Sequence, residues 1–316
     1  MRYILCLIGT LFYLISSAQR IDNYSSLFEI PDSSFVRIHY DNDLFQGEDI
    51  YYSQGIRLEI VNPIFRKNPI NRILISFPNA SSRKYGISAE IAAFTPTSIL
   101  SDSILFNDRP YAAIMALNFF QMSYSNELTM KLSSDIQVGI IGQAALGKEI
   151  QTGIHRVTNN SIPLGWQHQI QNDVILNYST RLDKQLLSFR SLFAFNGLAE
   201  LNLGTYQTNI SVGLDLSFGH KNNLFEGKQN KFQFYIYGQS KLKVVGYDAS
   251  LMGGLFNRSS DYTINYSDVN KLVAEQHVGI VIQFPHVYFG TDFGFITPEF
   301  SGGNSHAWGG IRLGFY

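Results

Sequence analysis

The chain has 316 residues, with 24 Lys and Arg against 25 Asp and Glu and a formal net charge of −1. This balance lacks the basic surface of nucleic-acid-binding proteins, so no nucleic-acid partner is expected. The composition of 24 Phe and 18 Tyr with 26 Gly and 9 Pro favours an all-β exported protein over a helical one.

Residues 1–18 have the pattern of a secretory signal peptide. Arg2 precedes an apolar run and then small residues that end at Ala18, which predicts cleavage after Ala18. Cleavage would remove Cys6, the one cysteine, so no disulfide or thiolate chemistry is expected in the mature chain. Residues 19–33 then form an N-terminal segment.

Apolar and polar residues alternate at period 2 in long segments, as at residues 205–219. A membrane-crossing strand needs about 9 to 11 tilted residues, whereas an average soluble strand has about five or six. No run after the signal approaches the roughly 18 apolar residues of a spanning helix. We therefore expect an all-β fold over residues 34–316, a twelve-stranded antiparallel transmembrane β-barrel rather than a soluble β-sandwich. The predicted strands are residues 34–43, 51–62, 84–95, 111–124, 127–142, 168–182, 187–203, 205–219, 230–247, 272–285, 286–298 and 305–316.

If the first strand starts in the periplasm, the odd-numbered connections lie outside the cell. Three polar segments then converge on one outer rim: Asp41-Asn42-Asp43, Asp108-Arg109, and the loop with Gln151 and His155. The periplasmic connections are short except for residues 63–83, whose length the pattern does not explain.

The outer loop contains a segment with the spacing of a short helix, residues 147–157. We expect the helix to lie against the barrel wall through an apolar stripe, which consists of Ile150, Ile154 and Val157. Gln151 and His155, four residues apart, form a polar stripe that would face a cleft.

His155 is the candidate general base. A neutral imidazole can accept a proton from water at physiological pH, and a carboxylate such as Asp43 could fix its tautomer. The alternative is that His155 is an exposed loop histidine without a catalytic role.

Asn42, Asp43 and Ser53 supply oxygen atoms that suit Ca²⁺ better than zinc. Asx residues are also common in turns, so a purely structural turn is an equal alternative. Asn42 and Asp43 can share a site only where the strand bulges or ends, because adjacent strand residues point to opposite faces.

Three basic residues near this rim are candidates for binding substrate phosphate, namely Arg109, Lys148 and Arg156. Asp108 and Arg109 could instead form an exposed ion pair of little energetic value. The sequence has no Gly-x-Ser-x-Gly motif, so a serine hydrolase of that design is unsupported.

These segments together resemble the outer-membrane lipid A 3'-O-deacylases of the LpxR type. The matching stretches are Asn42-Asp43-x-Phe45, Tyr51-Tyr52-Ser53-Gln54-Gly55, Asn107-Asp108-Arg109-Pro110-Tyr111-Ala112, Gln151-x-x-x-His155 and Pro163-x-Gly165-Trp166-x-x-Gln169. The family carries an acidic residue shortly after the histidine, where this chain has Asn159, Asn160 and Ser161.

The resemblance implies a twelve-stranded barrel whose site lies between the wall and a helix of an outer loop. It implies that His155 activates water while Ca²⁺ polarises the ester carbonyl, that Asn42, Asp43 and Ser53 shape the ion and base site, and that Gln151 supports it. We therefore expect a monomeric, Ca²⁺-dependent outer-membrane esterase that removes a 3'-linked acyl group from the lipid A of lipopolysaccharide. An outer-membrane phospholipase, and a non-catalytic barrel that acts as a pore or assembly protein, are the alternatives.

Overall fold

The alternating segments form twelve strands that close into a barrel, in which each strand pairs with its sequence neighbours and β1 pairs with β12. The computed structural model describes residues 22–43, 50–225 and 232–316, so the predicted signal peptide lies outside the described residues. The predicted barrel is confirmed. The strands are β1 (Phe35–Asn42), β2 (Gln54–Val61), β3 (Ser82–Phe94), β4 (Ala112–Ser125), β5 (Met130–Ile141), β6 (Asp173–Phe189), β7 (Phe193–Gly204), β8 (Gln207–His220), β9 (Gln233–Asp248), β10 (Leu272–Gln283), β11 (Val287–Ile296) and β12 (His306–Phe315).

The largest difference from the predicted bounds is at β6, which starts later than expected and continues to Phe189. The residues before it are held in another way: Trp166–His168 form a 3-10 turn and the Ile170 N–H donates to the Tyr111 carbonyl. The loop between β5 and β6 is therefore longer than the sequence pattern suggests.

Two α-helices lie in outer connections, α1 (Gly147–Thr158) and α2 (Ala249–Met252). The α1 helix confirms the predicted loop helix, and it ends at Asn159, which has a left-handed φ of 57°. Within the described residues, no helix is long and apolar enough to cross a membrane.

The two faces of each strand differ in polarity as a membrane barrel requires. On β8, Ile210 and Val212 are more than half exposed on the outside, whereas Ser211 and Asp215 are buried in the lumen. An apolar outer face matches the hydrocarbon of the membrane, and a polar interior is the rule for such barrels.

The N-terminal segment fills part of the lumen. Leu27, Phe28 and Ile30 are buried in one cluster with tyrosines that project inward from β9 and β11. Glu29 is buried beside them, 2.6 Å from Lys84 and from Lys131. Burial by itself raises the pKa of Glu29, but the ammonium groups of Lys131 and Lys84 outweigh burial and hold that pKa below its usual range. The barrel interior is thus a packed, charge-paired core.

Candidate active site

The site begins where β1 ends. Asn42 is the last residue of the strand and lies on its outward face with Tyr40, whereas Asp41 points into the lumen. The Asn42 amide nitrogen donates to the Tyr40 hydroxyl at 3.1 Å and to the Ser53 carbonyl at 2.6 Å. The next residue, Asp43, accepts a hydrogen bond from the Ile50 N–H at 2.7 Å. Adjacent residues can share a site only where a strand bulges or ends. Since β1 ends at Asn42, Asn42 and Asp43 can both contribute to one site.

Asp41 takes no part in this outer cluster. Its carboxylate lies 2.5 Å from the ring of His39 in the lumen, where both side chains are buried. These two residues and Asp292 form the one group of three potential metal ligands among the described His, Cys, Asp and Glu residues. Arg312 also pairs with Asp292 at 3.6 Å, so the Asp292 carboxylate already has a cationic partner.

Helix α1 packs against the outside of the barrel wall at the outer ends of β3 and β4. The contact is very close at Gly147, where an added Cβ would lie 2.4 Å from Ala113 and 2.7 Å from the Trp166 ring. Ala113 faces outward from β4, and Trp166 is 1% exposed. Small residues at this point allow the helix to reach the wall.

Gln151 connects the helix to the end of β2. Its amide nitrogen donates to the Ser53 hydroxyl at 3.1 Å, and its amide oxygen accepts from the Trp166 indole N–H at 2.7 Å. The Ser53 hydroxyl lies 2.8 Å from that of Thr95. Because an indole N–H can only donate, Trp166 fixes which end of the amide faces Ser53.

The face of α1 that meets the wall is the polar stripe, which lies about a quarter turn from the predicted apolar stripe. Gly147, Gln151 and His155 are the buried residues of the helix, whereas Val157 of the apolar stripe is 88% exposed. The polar stripe is the one buried against the wall, because the wall offers it hydrogen-bond partners and Gly147 permits a close approach. Ile150 and Ile154, the other two residues of the apolar stripe, are half-buried.

His155 is held in one tautomer. Its Nδ1 lies 2.6 Å from the Ser161 carbonyl oxygen. A carbonyl can only accept, so Nδ1 carries a proton, and in the neutral imidazole the lone pair is on Nε2. The acceptor at Nδ1 is therefore a backbone carbonyl, and a pairing of His155 with Asp43 stays a prediction. Ser161 lies in the stretch where the family resemblance leads us to expect an acidic residue and this chain has none.

The side-chain oxygen atoms of Asn42, Asp43 and Ser53 suit a hard cation. Both hydrogens of the Asn42 amide are used in hydrogen bonds, so oxygen is the atom it can offer an ion. The Ser53 hydroxyl accepts from Gln151 and can donate to Thr95, and a hydroxyl oxygen is a ligand type that a hard cation takes. With a carboxylate from Asp43, this all-oxygen set fits Ca²⁺, which takes about 6 to 8 oxygen ligands including waters.

Comparison with known proteins identifies the family. The model of a family described as outer membrane protein LpxR matches residues 4–316. The chain belongs to the LpxR family. Among solved structures, LpxR from Salmonella typhimurium aligns with a TM-score of 0.74 at 17% identity, covering 90% of this chain and 100% of the other. This agreement confirms the family resemblance and the barrel fold, and it places the protein in the outer membrane.

Two other barrels align more loosely. The transport unit of the autotransporter AIDA-I from Escherichia coli has a TM-score of 0.38 at 10% identity, with 97% of this chain and 96% of that chain covered. The NanC porin has a TM-score of 0.36 at 9% identity, with 90% and 99% covered. Comparison with curated protein sequences gives no significant match.

Arg109 in this LpxR-family chain lies apart from the outer cluster. Its guanidinium pairs with Glu299, donates to the Ser250 hydroxyl at 2.7 Å and lies 4.5 Å from the centre of the Phe94 ring. Burial raises the pKa of Glu299, and the charge of Arg109 opposes that effect. Since both terminal nitrogens of the buried guanidinium are committed, we remove Arg109 from the predicted phosphate-binding group.

Asp108 does not form the exposed ion pair with Arg109 that was the alternative interpretation of the sequence. Instead of pairing with the Arg109 side chain at the surface, it is buried and accepts hydrogen bonds from the Thr97 N–H at 2.9 Å and the Thr97 hydroxyl at 2.5 Å. Lys148 and Arg156, by contrast, are exposed on α1. These two residues remain the candidates for an outer phosphate.

Three contributors to the site escaped the sequence reasoning: the Thr95 hydroxyl, the Trp166 indole and the Ser161 carbonyl. Trp166 belongs to a recognised motif, but nothing local indicates that its N–H faces Gln151. Thr95 follows a strand end, where polar residues are ordinary. A backbone carbonyl has no side-chain signature at all.

Proposed function

We propose that this LpxR-family protein is a Ca²⁺-dependent esterase that removes the 3'-linked acyl chain of lipid A. The observation that carries the proposal is the fixed tautomer of His155. Its Nδ1 is bound by the Ser161 carbonyl, which makes Nε2 the atom able to take a proton. This base lies one helical turn from Gln151, whose amide contacts Ser53.

The position of the site supports a membrane lipid as the substrate. Asn42 and Ala113 are on the outward faces of their strands, so α1 and its buried polar stripe lie on the lipid side of the barrel wall. A lipid A molecule in the outer leaflet could reach this cleft without leaving the membrane. The exposed cations Lys148 and Arg156 would bind its phosphate groups.

In the proposed reaction, Nε2 of His155 takes a proton from water as the water oxygen bonds to the ester carbonyl carbon. The tetrahedral intermediate then breaks its bond to the sugar oxygen, and the imidazolium returns the proton to that oxygen. The products are a fatty acid and a free 3'-hydroxyl group. The Ser161 carbonyl stabilises the imidazolium because it accepts a hydrogen bond from the Nδ1–H group throughout.

Asn42, Asp43 and Ser53 would hold Ca²⁺ through their side-chain oxygens. When bound, the ion supplies positive charge for the oxyanion that forms on the ester carbonyl. Gln151 and Thr95 position the Ser53 hydroxyl from either side.

The test uses the purified, folded protein with lipid A in detergent and mass spectrometry as the readout. With Ca²⁺ we expect loss of the 3'-linked acyl group, no reaction in EDTA, and recovery when Ca²⁺ is restored. Full activity in EDTA would disprove the metal requirement. No acyl loss with Ca²⁺ would disprove the deacylase and leave the non-catalytic barrel. Faster release of fatty acid from phospholipid than from lipid A would favour the phospholipase instead.

A further inference from the structure

The long periplasmic connection between β2 and β3 is strongly basic. Residues 63–83 contain Arg66, Lys67, Arg72 and Arg83 and no acidic residue. Two 3-10 turns, Pro63–Lys67 and Pro69–Arg72, each follow an asparagine whose side chain accepts a backbone N–H. The segment therefore has regular local structure and is not an irregular linker.

This connection lies on the outside of the barrel wall. Gln121 and Ser123 share the outward face of β4 with Leu117, which is 54% exposed. The Gln121 amide donates to the Leu74 carbonyl at 2.7 Å, and the Ser123 hydroxyl accepts from a backbone N–H of the segment, that of Phe77, at 3.1 Å. The segment thus covers polar groups that would otherwise face lipid.

Two further strands make the same kind of contact. The outward-facing Ser134 of β5 donates to the Ile75 carbonyl at 2.7 Å. The Tyr178 hydroxyl of β6 accepts from the Ile75 N–H at 2.8 Å and donates to the Ile73 carbonyl at 3.1 Å. The contacts extend along β4 to β6 above their periplasmic ends, which is the level of the inner leaflet.

The surface that the segment turns away from the wall is both apolar and cationic. Ile64, Ile73 and Ile75 are 68%, 63% and 54% exposed. Arg66 and Arg72 are exposed as well. Apolar side chains beside cations are typical of protein elements that lie at a membrane interface.

The cations are available for a ligand. Among the described residues, no ion pair is formed by Arg66, Lys67 or Arg72. All three line one open pocket with Arg83 and Tyr85. Arg83 donates to two carbonyls of the segment at 2.6 and 3.0 Å, which helps to hold the pocket in shape.

We propose that residues 63–83 form a binding site for an anionic phospholipid of the inner leaflet. The phosphate would lie among Arg66, Lys67 and Arg72, and the acyl chains would run along the exposed Ile73 and Ile75. Charge complementarity and position both favour this ligand, because anionic headgroups face the periplasm at the end of the barrel where the cations lie. Each basic residue near an anionic membrane surface contributes roughly five-fold in affinity.

The test measures lipid binding by the full, folded protein in detergent, titrated with phosphatidylglycerol or phosphatidylethanolamine and read by native mass spectrometry. We expect phosphatidylglycerol to bind more tightly, and excess inorganic phosphate to leave it bound. The triple variant Arg66→Gln, Lys67→Gln and Arg72→Gln should weaken phosphatidylglycerol binding about 100-fold, from three such contributions.

The matched control removes three cationic charges elsewhere, in the triple variant Arg190→Gln, Arg258→Gln and Lys271→Gln, and should bind as the parent does. Arg190 and Arg258 are exposed and Lys271 is half-buried. Equal binding of the two lipids, equal loss in the two triple variants, or displacement by inorganic phosphate would each overturn the proposal. If the Arg66, Lys67 and Arg72 triple variant fails to fold, the proposal is tested instead by phosphatidylglycerol binding to the parent protein at increasing salt concentration. Binding that does not weaken in high salt would then contradict a charge-based site.

Discussion

At the scale of single residues, the protonation of His155 at Nδ1 depends on a backbone carbonyl group and not on a side chain. The Ser161 carbonyl lies 2.6 Å from Nδ1, in the place that a carboxylate often takes beside a catalytic histidine. A neutral acceptor stabilises the imidazolium less than a carboxylate would. The imidazole of His155 is nevertheless oriented by this hydrogen bond, in which Nδ1 is the donor.

Replacing His155 with alanine should abolish most activity and leave the barrel folded. General-base catalysis contributes typically 10²- to 10⁴-fold, so the deacylation rate should fall by about that factor. The rate is measured by mass spectrometry of lipid A, and folding by the shift in gel mobility that boiling in SDS produces.

His168→Ala is the matched control, because His168 is in the same loop but pairs with Asp261 at 3.0 Å. It should retain the parent rate. A folded His155→Ala protein with more than about a tenth of that rate would show that His155 is not the base.

At the scale of elements, the position of α1 depends on one close contact. An added Cβ at Gly147 would lie 2.4 Å from Ala113 and 2.7 Å from the Trp166 ring, whereas one at Gly153 would meet nothing within 4 Å. The two glycines of the helix therefore have different roles. Gly147 allows docking, and Gly153 costs helix stability of roughly 1 kcal/mol relative to alanine.

Gly147→Val should displace α1 from the wall and separate Gln151 from Ser53, because neither Ala113 nor the Trp166 ring has room to move. We expect at least a ten-fold loss of activity with unchanged barrel stability in SDS. Gly153→Ala, measured in the same assays, should keep full activity and make the helix more resistant to proteolysis. Equal activity of the two variants would contradict the docking role of Gly147.

At the scale of the whole molecule, the N-terminal segment and the barrel stabilise each other. Glu29 forms ion pairs with both Lys84 and Lys131 in the lumen, each at 2.6 Å. The segment also fills space that an open pore would need. This packing argues against a pore as the primary function.

Glu29→Gln should loosen the segment. Breaking a buried pair by removing one partner costs about 3 to 5 kcal/mol, since buried charge is left uncompensated. Hydrogen exchange of residues 22–30 should become faster, whereas Asp32→Asn, an exposed change two residues beyond this span, should have no effect. Unchanged exchange in Glu29→Gln would contradict this role.

Acid should affect the parent in a defined direction. The pKa of Glu29 is held low in the folded state, so its contribution to stability is present above about pH 4.3, the unfolded value. That contribution is lost as the pH falls through the lowered folded pKa. Protection of the segment should therefore persist at pH 5 in the parent.

The sequence alone determined the barrel, because strand periodicity and transmembrane length are local properties written into each segment. It also determined which residues approach the site from β1, β2 and the loop helix, since the order of strands brings their outer ends together. It predicted the helix correctly but placed the apolar stripe against the wall, where the structure has the polar stripe. Periodicity distinguishes an apolar stripe from a polar one without showing which surface each stripe meets.

Tertiary structure decided the rest. Arg109 pairs with Glu299, 190 residues away, and residues 63–83 find their partners on the outer wall of β4 to β6. The tautomer of His155 depends on a backbone carbonyl. Each of these outcomes is a competition among distant polar groups for hydrogen-bond and charge partners, and only the folded chain brings the competitors within reach of one another.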